Sequence, residues 1–320
     1  MSMFDITAFG ELLIDFTQVG VSPSGMVLFE QNPGGAPANV LACAAKLGQK
    51  TAFIGKIGAD MQGEFLRKTL QNAKINTNGL VIDENFFTTL AFVSLNENGE
   101  RSFSFARKPG ADTQICWEEV DISIVKNSRI FHFGSLSLTD SPARETTLFA
   151  LAEAKKAGCI ISYDPNYRPL LWKNEAEARQ QMRSVLPYVD MIKLSDEETA
   201  LLTDYTDSQK AAKHLIDNGI QLAAVTLGKS GALIATKDGF DIIPGFNVDA
   251  IDTTGAGDAF WGALLYSVEA LGKKISEIDF SEIRSIARFA NAAAALCVTK
   301  RGAIPSMPVL CEIKELLKTQ

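Results

Sequence analysis

Amphipathic and uniformly apolar segments alternate along the whole chain. Three stretches share one order of elements, in which a helical pattern runs into a glycine and then into an apolar strand: LACAAKLGQKTAFIG, LAEAKKAGCIISYDPN and HLIDNGIQLAAVTLG. The glycine suits the left-handed residue that follows many helices. Strands that are apolar throughout, rather than at alternate residues, indicate burial on both faces. The pattern therefore predicts an α/β fold with a doubly wound, mostly parallel sheet.

One region departs from this order. The segment TTLAFVSLNENGERSFSFARKPGAD alternates apolar and polar residues on both sides of Asn98-Gly99, a dipeptide typical of tight hairpin turns. Phe103 and Phe105 share a face of the second strand, because side chains alternate along a strand. Together with residues 11–33, the hairpin would form a small second sheet. Two interpretations stay open: a decorated edge of the main sheet, or a lid that closes over a ligand or pairs with another subunit.

Composition and charge narrow the class of partner. The chain has 320 residues, 46% of them hydrophobic and 22% charged, with a formal net charge of −7. Acidity disfavours nucleic acid as a partner, because phosphate backbones require basic faces. No apolar run approaches the roughly 18 residues of a membrane-spanning helix, and the N-terminal stretch lacks the basic region of a signal peptide. We therefore expect a cytoplasmic protein with neither a nucleic-acid nor a membrane partner.

The cysteines and histidines disfavour two further kinds of chemistry. Five cysteines are scattered without a C-x-x-C pair, which argues against a disulfide framework or a zinc site and fits a reducing compartment. His132 and His214 are the two histidines of the chain, so a Ser-His-Asp triad is not expected.

Polar residues gather where the predicted strands end. In open α/β sheets, ligands bind beyond the carboxyl ends of the strands. Several predicted strand ends carry unusual residues, namely Asp164, Asn166 and Arg168; Lys193, Ser195 and Glu198; and the turn with Gly228 and Gly231. Their convergence predicts a ligand site at this edge of the sheet.

The segment IDTTGAGD is another such strand-end loop, and an apolar helix follows it. Small residues allow the N–H groups of residues 255–258 to point at one spot at the helix start, an arrangement that binds anions. Asp258 has two interpretations at this stage, a helix cap or a carboxylate held beside a bound anion. The segment is neither a Walker A motif nor a dinucleotide fingerprint, because both spacings differ.

The segment NPGGAPANVLACAAKLG is the second glycine-rich point. Gly34 and Gly35 allow a close approach of the backbone, and Asn39 falls in the first turn of the following helix. Asp15 follows an apolar strand and supplies a carboxylate that can accept two sugar hydroxyls. The segment is read either as a plain loop-to-helix junction or as a neutral edge that binds hydroxyl groups.

GGAPANVLACAAKLG and DTTGAGDAFWGALL resemble the two signatures of the ribokinase-like (PfkB) carbohydrate kinases. The resemblance extends from Gly10 to about Pro308. Within the family, FGELLIDF, TTLAFVSL, HFGSLSL, DPNYRPLLW, KLSDEE and KRGAIPSMP look most like a fructokinase.

This resemblance implies a Rossmann-like, ribokinase-like main domain with a small β-sheet lid. The main domain would comprise residues 1–10, 34–86 and 107–320, and the lid would comprise residues 11–33 and 87–106. The implied activity is phosphorylation of fructose by ATP, in a homodimer joined through the lid. Alternatives are a sister kinase for 2-keto-3-deoxygluconate, ribose or a nucleoside, and a sensor without catalysis, which an intact Asp258 argues against.

The resemblance also implies roles for individual residues. Asp258 corresponds to the catalytic base, and the remaining catalytic residues are Gly255, Ala256, Gly257 and Arg168. The implied sugar contacts are Asp15, Gly34, Gly35, Asn39, Phe103, Arg107, Arg168 and Asp258. The implied nucleotide contacts are Asn166, Lys193, Thr226, Gly228, Gly231 and Asn291. A monovalent cation, K⁺, would lie in the loop of Asp252, Thr254, Cys297, Lys300, Gly302 and Ser306.

The magnesium motif departs from the commonest family pattern. Many members carry N-x-x-E after the strand that here reads MIKLSDEE, so Ser195 replaces the asparagine while Glu198 keeps the acid. Mg²⁺ bridges ATP phosphates and usually keeps several waters. We therefore expect Glu198 to act on Mg²⁺ through water.

Overall fold

The computed structural model describes residues 3–95 and 101–320, which form two sheets and the helices around them. The strands in this part of the chain are β1 Phe4–Phe9, β2 Leu13–Val21, β3 Val27–Gly34, β4 Thr51–Gly58, β5 Asn76–Asp83, β6 Leu90–Leu95, β7 Arg101–Ala106, β8 Ser128–Gly134, β9 Ile160–Asp164, β10 Met191–Ser195, β11 Leu222–Thr226, β12 Ala232–Thr236 and β13 Gly239–Ile243. The α-helices are α1 Ala36–Lys46, α2 Met61–Asn72, α3 Ile122–Lys126, α4 Ala143–Ala157, α5 Glu175–Ser184, α6 Thr199–Thr203, α7 Ser208–Asp217, α8 Ala256–Leu271, α9 Phe280–Cys297 and α10 Leu310–Thr319.

The main sheet has nine strands in the order β13-β12-β11-β10-β9-β8-β1-β4-β5. Strands β11 through β5 in this order pair in parallel, and β12 and β13 add an antiparallel edge. Because β1 pairs with both β4 and β8, the order of the strands reverses beside β1, which is the point where open α/β sheets bind ligands. The predicted doubly wound, mostly parallel sheet is confirmed.

Helices cover both faces of the main sheet. One apolar core lies under α1, α2, α8 and α9, and a second lies under α3, α4, α5 and α7. Trp261 of α8 is fully buried, and its indole Nε1–H donates to Ser162 Oγ at 2.8 Å. Two buried faces explain why the strands read as continuous apolar runs. Within the described residues, no helix has the length and apolar character needed to span a membrane.

Helix boundaries follow from local chemistry. The side chains of Asp60, Asn174 and Asp207 precede α2, α5 and α7 and accept a backbone N–H of the first turn. Such caps satisfy donors that have no partner within the helix. Gly158 ends α4 in the left-handed conformation at φ +81°, as the sequence predicts for this glycine.

The second sheet has four strands in the order β3-β2-β6-β7. Strands β6 and β7 pair antiparallel, and β6 pairs in parallel with β2. The hairpin is therefore part of a separate small sheet and does not extend the edge of the main sheet. Its turn, with the predicted Asn98-Gly99, lies outside the described residues.

Candidate active site

A cavity of about 840 Å³ opens at the carboxyl edge of the main sheet and extends to the inner face of the second sheet. It lies where β9, β10 and β11 end and where α8 begins. The predicted site residues that line it are Asp15, Gly35, Asn39, Asn166, Arg168, Lys193, Thr226, Asp252, Thr254, Gly255, Ala256, Gly257, Asp258 and Gly302. Segments that are distant in sequence therefore converge at the predicted edge.

The start of α8 supplies backbone donors to this cavity. Gly255 precedes the helix at φ +80°, a conformation that favours glycine. The N–H groups of Gly257 and Asp258 belong to the first turn, where no partner exists within the helix. The N–H of Ala256 instead donates to the Thr253 carbonyl at 3.3 Å, so the expected set of four converging amides is smaller by one. The remaining donors and the helix dipole form an anion-binding helix start.

Asp258 is the third residue of α8, and its side chain does not cap the helix. The cap interpretation is therefore wrong, although an acid in the first turn still interacts favourably with the helix dipole. The carboxylate is 8% exposed, and its Oδ2 accepts a hydrogen bond of 2.8 Å from Asn39 Nδ2 of α1. Burial raises the pKa of Asp258 to about 6, against the opposing effects of Lys193 and of the hydrogen bond from Asn39.

A buried ion pair forms the floor of the cavity. Lys193 at β10 donates to Asp164 Oδ2 at 2.8 Å, and both side chains are nearly inaccessible. Burial alone would lower the pKa of Lys193, but the carboxylates of Asp164, Glu198 and Asp258 outweigh burial and raise it. A Cβ on Gly257 would lie 2.9 Å from Lys193 Nζ. The ammonium therefore lies directly beneath the anion-binding helix start.

The predicted sugar side is built around Asp15. A Cβ on Gly34 would lie 2.3 Å from Asp15 Oδ2, and a Cβ on Gly35 would lie 2.4 Å from the Glu11 carbonyl oxygen. Glycine is thus required at position 35, where φ is +115° and the close contact is backbone, whereas a side chain at position 34 would displace the Asp15 carboxylate. Burial raises the pKa of Asp15 to about 6, with Arg168 opposing and Asp258 reinforcing the shift. Asp15 and Asp258 are close enough to interact across the cavity.

The three remaining predicted sugar contacts have different surroundings. Arg168 is exposed at the cavity wall, where Nη1 donates to the Tyr167 carbonyl. Arg107 does not line the cavity, because its buried guanidinium pairs with Asp112 at 2.7 Å and also donates to Leu136 and Thr139. This structure therefore does not bring Arg107 to the cavity, and its sugar contact stays a prediction. The side chain of Phe103 lies outside the described part of the chain.

The predicted nucleotide contacts divide into two groups. Asn166, Lys193 and Thr226 line the cavity, whereas Gly228 and Gly231 form the turn between β11 and β12 and do not line it. Asn291 is buried in α9, and its Nδ2 donates to the carbonyls of Ile243 and Pro244. Asn291 therefore holds the segment after β13 and does not face the cavity, since its amide is needed to satisfy buried carbonyls.

Glu198 lies beneath the cavity surface. Its Oε1 accepts from the Tyr167 N–H at 2.6 Å, and its Oε2 accepts from the Ser195 N–H at 2.7 Å. Within the described residues, no group of three or more His, Cys, Asp or Glu could hold a metal ion. Asp164 Oδ1 is a buried acceptor without a partner in the same part of the chain. The carboxylate oxygens of Glu198 and Asp164 fit a Mg²⁺ ion that is carried by the nucleotide phosphates and contacted through water.

The predicted cation loop brings distant segments together. Asp252 Oδ1 accepts from Thr254, and Asp252 Oδ2 accepts from the Gly302 N–H at 3.0 Å. Cys297 Sγ lies 2.9 Å from Ser306 Oγ. Lys300 pairs with Glu312, so only the backbone of this residue can contribute to the loop. The segments of the loop come together as the resemblance implies. That a cation binds between them stays a prediction.

Several polar residues around the cavity had no assigned role from sequence, among them Asp164, Glu11 and Arg301. Glu11 joins the first strand to the second sheet, and its Oε1 accepts from the Ala36 N–H at 2.9 Å. Burial raises its pKa to about 7, with its backbone hydrogen bonds and Arg107 opposing the shift. The sequence signal that could have identified Glu11 is its position directly after Gly10, the glycine that follows the first strand.

The pH dependence of activity should report the raised pKa of Asp258. A base must be ionised to accept a proton, so we expect kcat/KM to fall as the pH drops below about 6. An aspartate with its usual pKa would move this decline to about pH 4. Initial rates between pH 4.5 and 8, with folding checked at each pH, measure this. A constant kcat/KM down to pH 4.5 would contradict the buried-carboxylate assignment.

Comparisons with known proteins agree with this geometry. A family model described as pfkB family carbohydrate kinase matches residues 3–310. Probable fructokinase-2 from Arabidopsis thaliana is 42% identical over 318 residues, which cover 98% of this chain and 96% of that protein. A fructokinase from Xylella fastidiosa, solved with bound ATP, has a TM-score of 0.90 at 36% identity and covers 99% of this chain and 98% of its own.

A second solved structure adds further ligands. A fructokinase double mutant from Vibrio cholerae O395, bound to fructose, ADP and a potassium ion, has a TM-score of 0.88 at 34% identity, covering 99% of each chain. The sheet, the anion-binding helix start and the buried carboxylate define an α/β phosphotransferase that acts on an alcohol group. This chain belongs to the pfkB family of carbohydrate kinases.

Proposed function

We propose that this chain is an ATP-dependent fructokinase, which converts ATP and D-fructose to ADP and D-fructose 6-phosphate. The single observation that carries the chemistry is the buried carboxylate of Asp258, held by Asn39 at 2.8 Å beside helix-start amides that have no partner within the helix. The choice of fructose is supported by relatives named fructokinase at 42% identity over 98% of this chain.

Asp258 acts as the base in this proposal. The primary hydroxyl of the sugar attacks the γ-phosphorus, an O–P bond forms, and the bond from the γ-phosphorus to the bridging oxygen breaks, with its electrons leaving on ADP. The hydroxyl proton passes to the carboxylate. Asp15, Gly34, Gly35 and Asn39 orient the sugar from one side of the cavity, and Arg168 covers it from the strand-end loop.

Charge on the transferred phosphoryl group is stabilised by donors that are already in place. Phosphoryl transfer is catalysed mainly by positioning and electrostatic stabilisation. The N–H groups of Gly255, Gly257 and Asp258 meet the equatorial oxygens, and Lys193 adds a positive charge from below. Mg²⁺, when bound with ATP, would neutralise phosphate charge, and Glu198 and Asp164 are the carboxylates that would hold it through water. Asn166 and Thr226, which line the cavity, are the residues proposed to contact the nucleotide.

A coupled assay with a panel of acceptors tests the proposed activity. The protein is mixed with Mg²⁺-ATP and either fructose, ribose, 2-keto-3-deoxygluconate or a nucleoside, and ADP release is followed. Fructose should give the highest kcat/KM; if another acceptor does, the substrate assignment fails while the family remains. Running the panel in potassium and in tetramethylammonium chloride tests the proposed cation loop, because a K⁺ site predicts faster turnover in the potassium salt.

The second sheet is proposed to act as a lid and as the contact of a homodimer in the cytoplasm. On the face opposite the cavity, Phe92 stacks on Phe16 at 5.3 Å and meets the edge of Phe29 at 5.9 Å. Phe29 is 41% exposed, and further apolar side chains of β2 and β3 are also exposed. Exposed apolar patches commonly mark interaction surfaces.

The five free cysteines, three of them buried, suit a reducing compartment, which supports the proposed location in the cytoplasm.

Replacement of Phe29 tests this dimer. Phe29→Glu should shift the protein from dimer to monomer in sedimentation velocity, because a buried carboxylate at the contact is costly. Phe240→Glu is the matched control, since Phe240 is 52% exposed on β13 of the main sheet. A wild-type monomer, or an unchanged dimer in Phe29→Glu, would contradict the proposed contact.

A further inference from the structure

The mouth of the cavity carries two opposite charges on facing walls. Glu30 belongs to β3 of the second sheet, and Arg301 lies in the loop between α9 and α10. Both residues line the cavity and both are exposed. In the part of the chain that the structure describes, neither side chain makes an ion pair or a hydrogen bond.

The register of the second sheet directs Glu30 toward the cavity. Glu30 pairs with Thr17, and Asn32 pairs with Asp15; directly paired residues lie on the same face of a sheet, as do residues two apart along a strand. All four of these residues line the cavity. Glu30 is therefore on the face that holds the predicted sugar contact Asp15, two residues farther than Asn32 from the end of β3 at Gly34.

The two walls already approach each other beside these charges. A Cβ on Gly302 would lie 3.5 Å from Asn32 Oδ1, so the loop that carries Arg301 meets the strand that carries Glu30. The loop is fixed from below, because the Gly302 N–H donates to Asp252 Oδ2 at 3.0 Å. Arg301 thus stands on a firmly held wall, while Glu30 stands on the sheet that is proposed to move.

We propose that Glu30 and Arg301 form an ion pair that latches the second sheet over the sugar, with Arg301 as a positioning residue. The latch rests on the proposed function, since it concerns the same cavity. In the described part of the chain neither side chain has a hydrogen bond or ion pair with Asp258, so the latch acts by favouring the closed, sugar-bound form. Closure of such a lid excludes water from the phosphoryl group.

Charge reversal and charge exchange test the latch. Arg301→Glu and Glu30→Arg should each raise the sugar KM about 3- to 10-fold, because an exposed pair is lost and like charges replace it. The KM for ATP and kcat should change less than about twofold, since only sugar retention depends on the latch. The exchanged double variant should return to within about twofold of the wild-type sugar KM. Screening in 1 M salt should shrink the single-variant effects.

Lys237→Glu is the control for Arg301→Glu, because it makes the same change in net charge at an exposed turn of the main sheet. The sugar is the one that the wild type turns over best, and calorimetric sugar binding to the ADP-loaded protein gives a readout without turnover. A failed fructose assignment therefore leaves the test intact. A double variant as impaired as the worse single variant would overturn the latch. So would an Arg301→Glu variant with a raised KM for ATP alone, which would assign Arg301 to the nucleotide phosphates.

Discussion

Asp258→Asn should lower kcat by roughly 10²–10⁴-fold, the contribution of a positioned base. The amide keeps the size of the carboxylate and an oxygen for the Asn39 N–H, so sugar binding should stay within about threefold of wild type. Steady-state kinetics together with calorimetric sugar binding measure both quantities. This combination separates a lost base from a lost binding site.

The thermal stability of Asp258→Asn distinguishes loss of the catalytic base from misfolding of the variant. Burial raises the folded-state pKa of Asp258 to about 6 from its ordinary 3.8, so the folded state holds the proton more tightly than the unfolded chain. The stabilising effect of that proton is present below pH 3.8 and is lost as the pH rises to about 6. At pH 7 the ionised carboxylate is therefore unfavourable to folding, and Asp258→Asn should melt no lower than wild type. Turnover within about fivefold of wild type would contradict the assignment of the base.

Gly255→Ala should lower kcat/KM by about 10²-fold or more, which is the effect of displacing a preorganised anion-hole donor. Gly255 has φ +80°, and its Cβ would lie 2.8 Å from Ala303 Cβ. The helix start must therefore shift relative to the loop that packs on it. Kinetics on protein with a verified folded fraction measure the loss.

Gly272→Ala supplies a matched control at the other end of the same helix. Gly272 has φ +66°, but a Cβ there would meet nothing within 4 Å. We expect it to cost about 1 kcal/mol of stability through backbone strain and to leave kcat/KM nearly unchanged. Equal losses of activity in the two variants would show that strain, rather than donor position, limits turnover.

The fold could be predicted because buried parallel strands leave a strong pattern. Strand-end glycines, apolar strands and the polar residues that follow them are local signals, and the structure places most of these residues around one cavity. Pairings between distant segments leave no local signal. The Asn39–Asp258 hydrogen bond joins residues 219 positions apart, and the register of β3 that directs Glu30 toward the cavity depends on a partner strand.

Two predicted contacts that the structure does not bring to the cavity, Arg107 and Asn291, have the same origin. Arg107 lies next to the hairpin, and an exposed arginine there would reach a ligand; its buried partner Asp112 instead retains it. Asn291 has a polar side chain on an otherwise apolar helix face, and two carbonyls of the segment after β13 satisfy it. In both cases the polar side chain is buried and hydrogen-bonded within the protein, as buried polar groups generally are.

A crystal structure with fructose, ADP and aluminium fluoride would show which groups hold the phosphoryl group during transfer. We expect the fluoride group at the start of α8, within hydrogen-bond distance of the Gly255, Gly257 and Asp258 N–H groups, with the primary hydroxyl of the sugar on the Asp258 carboxylate. A fluoride group held elsewhere, or a sugar hydroxyl that faces another acceptor while Asp258 stays bound to Asn39 alone, would contradict this expectation.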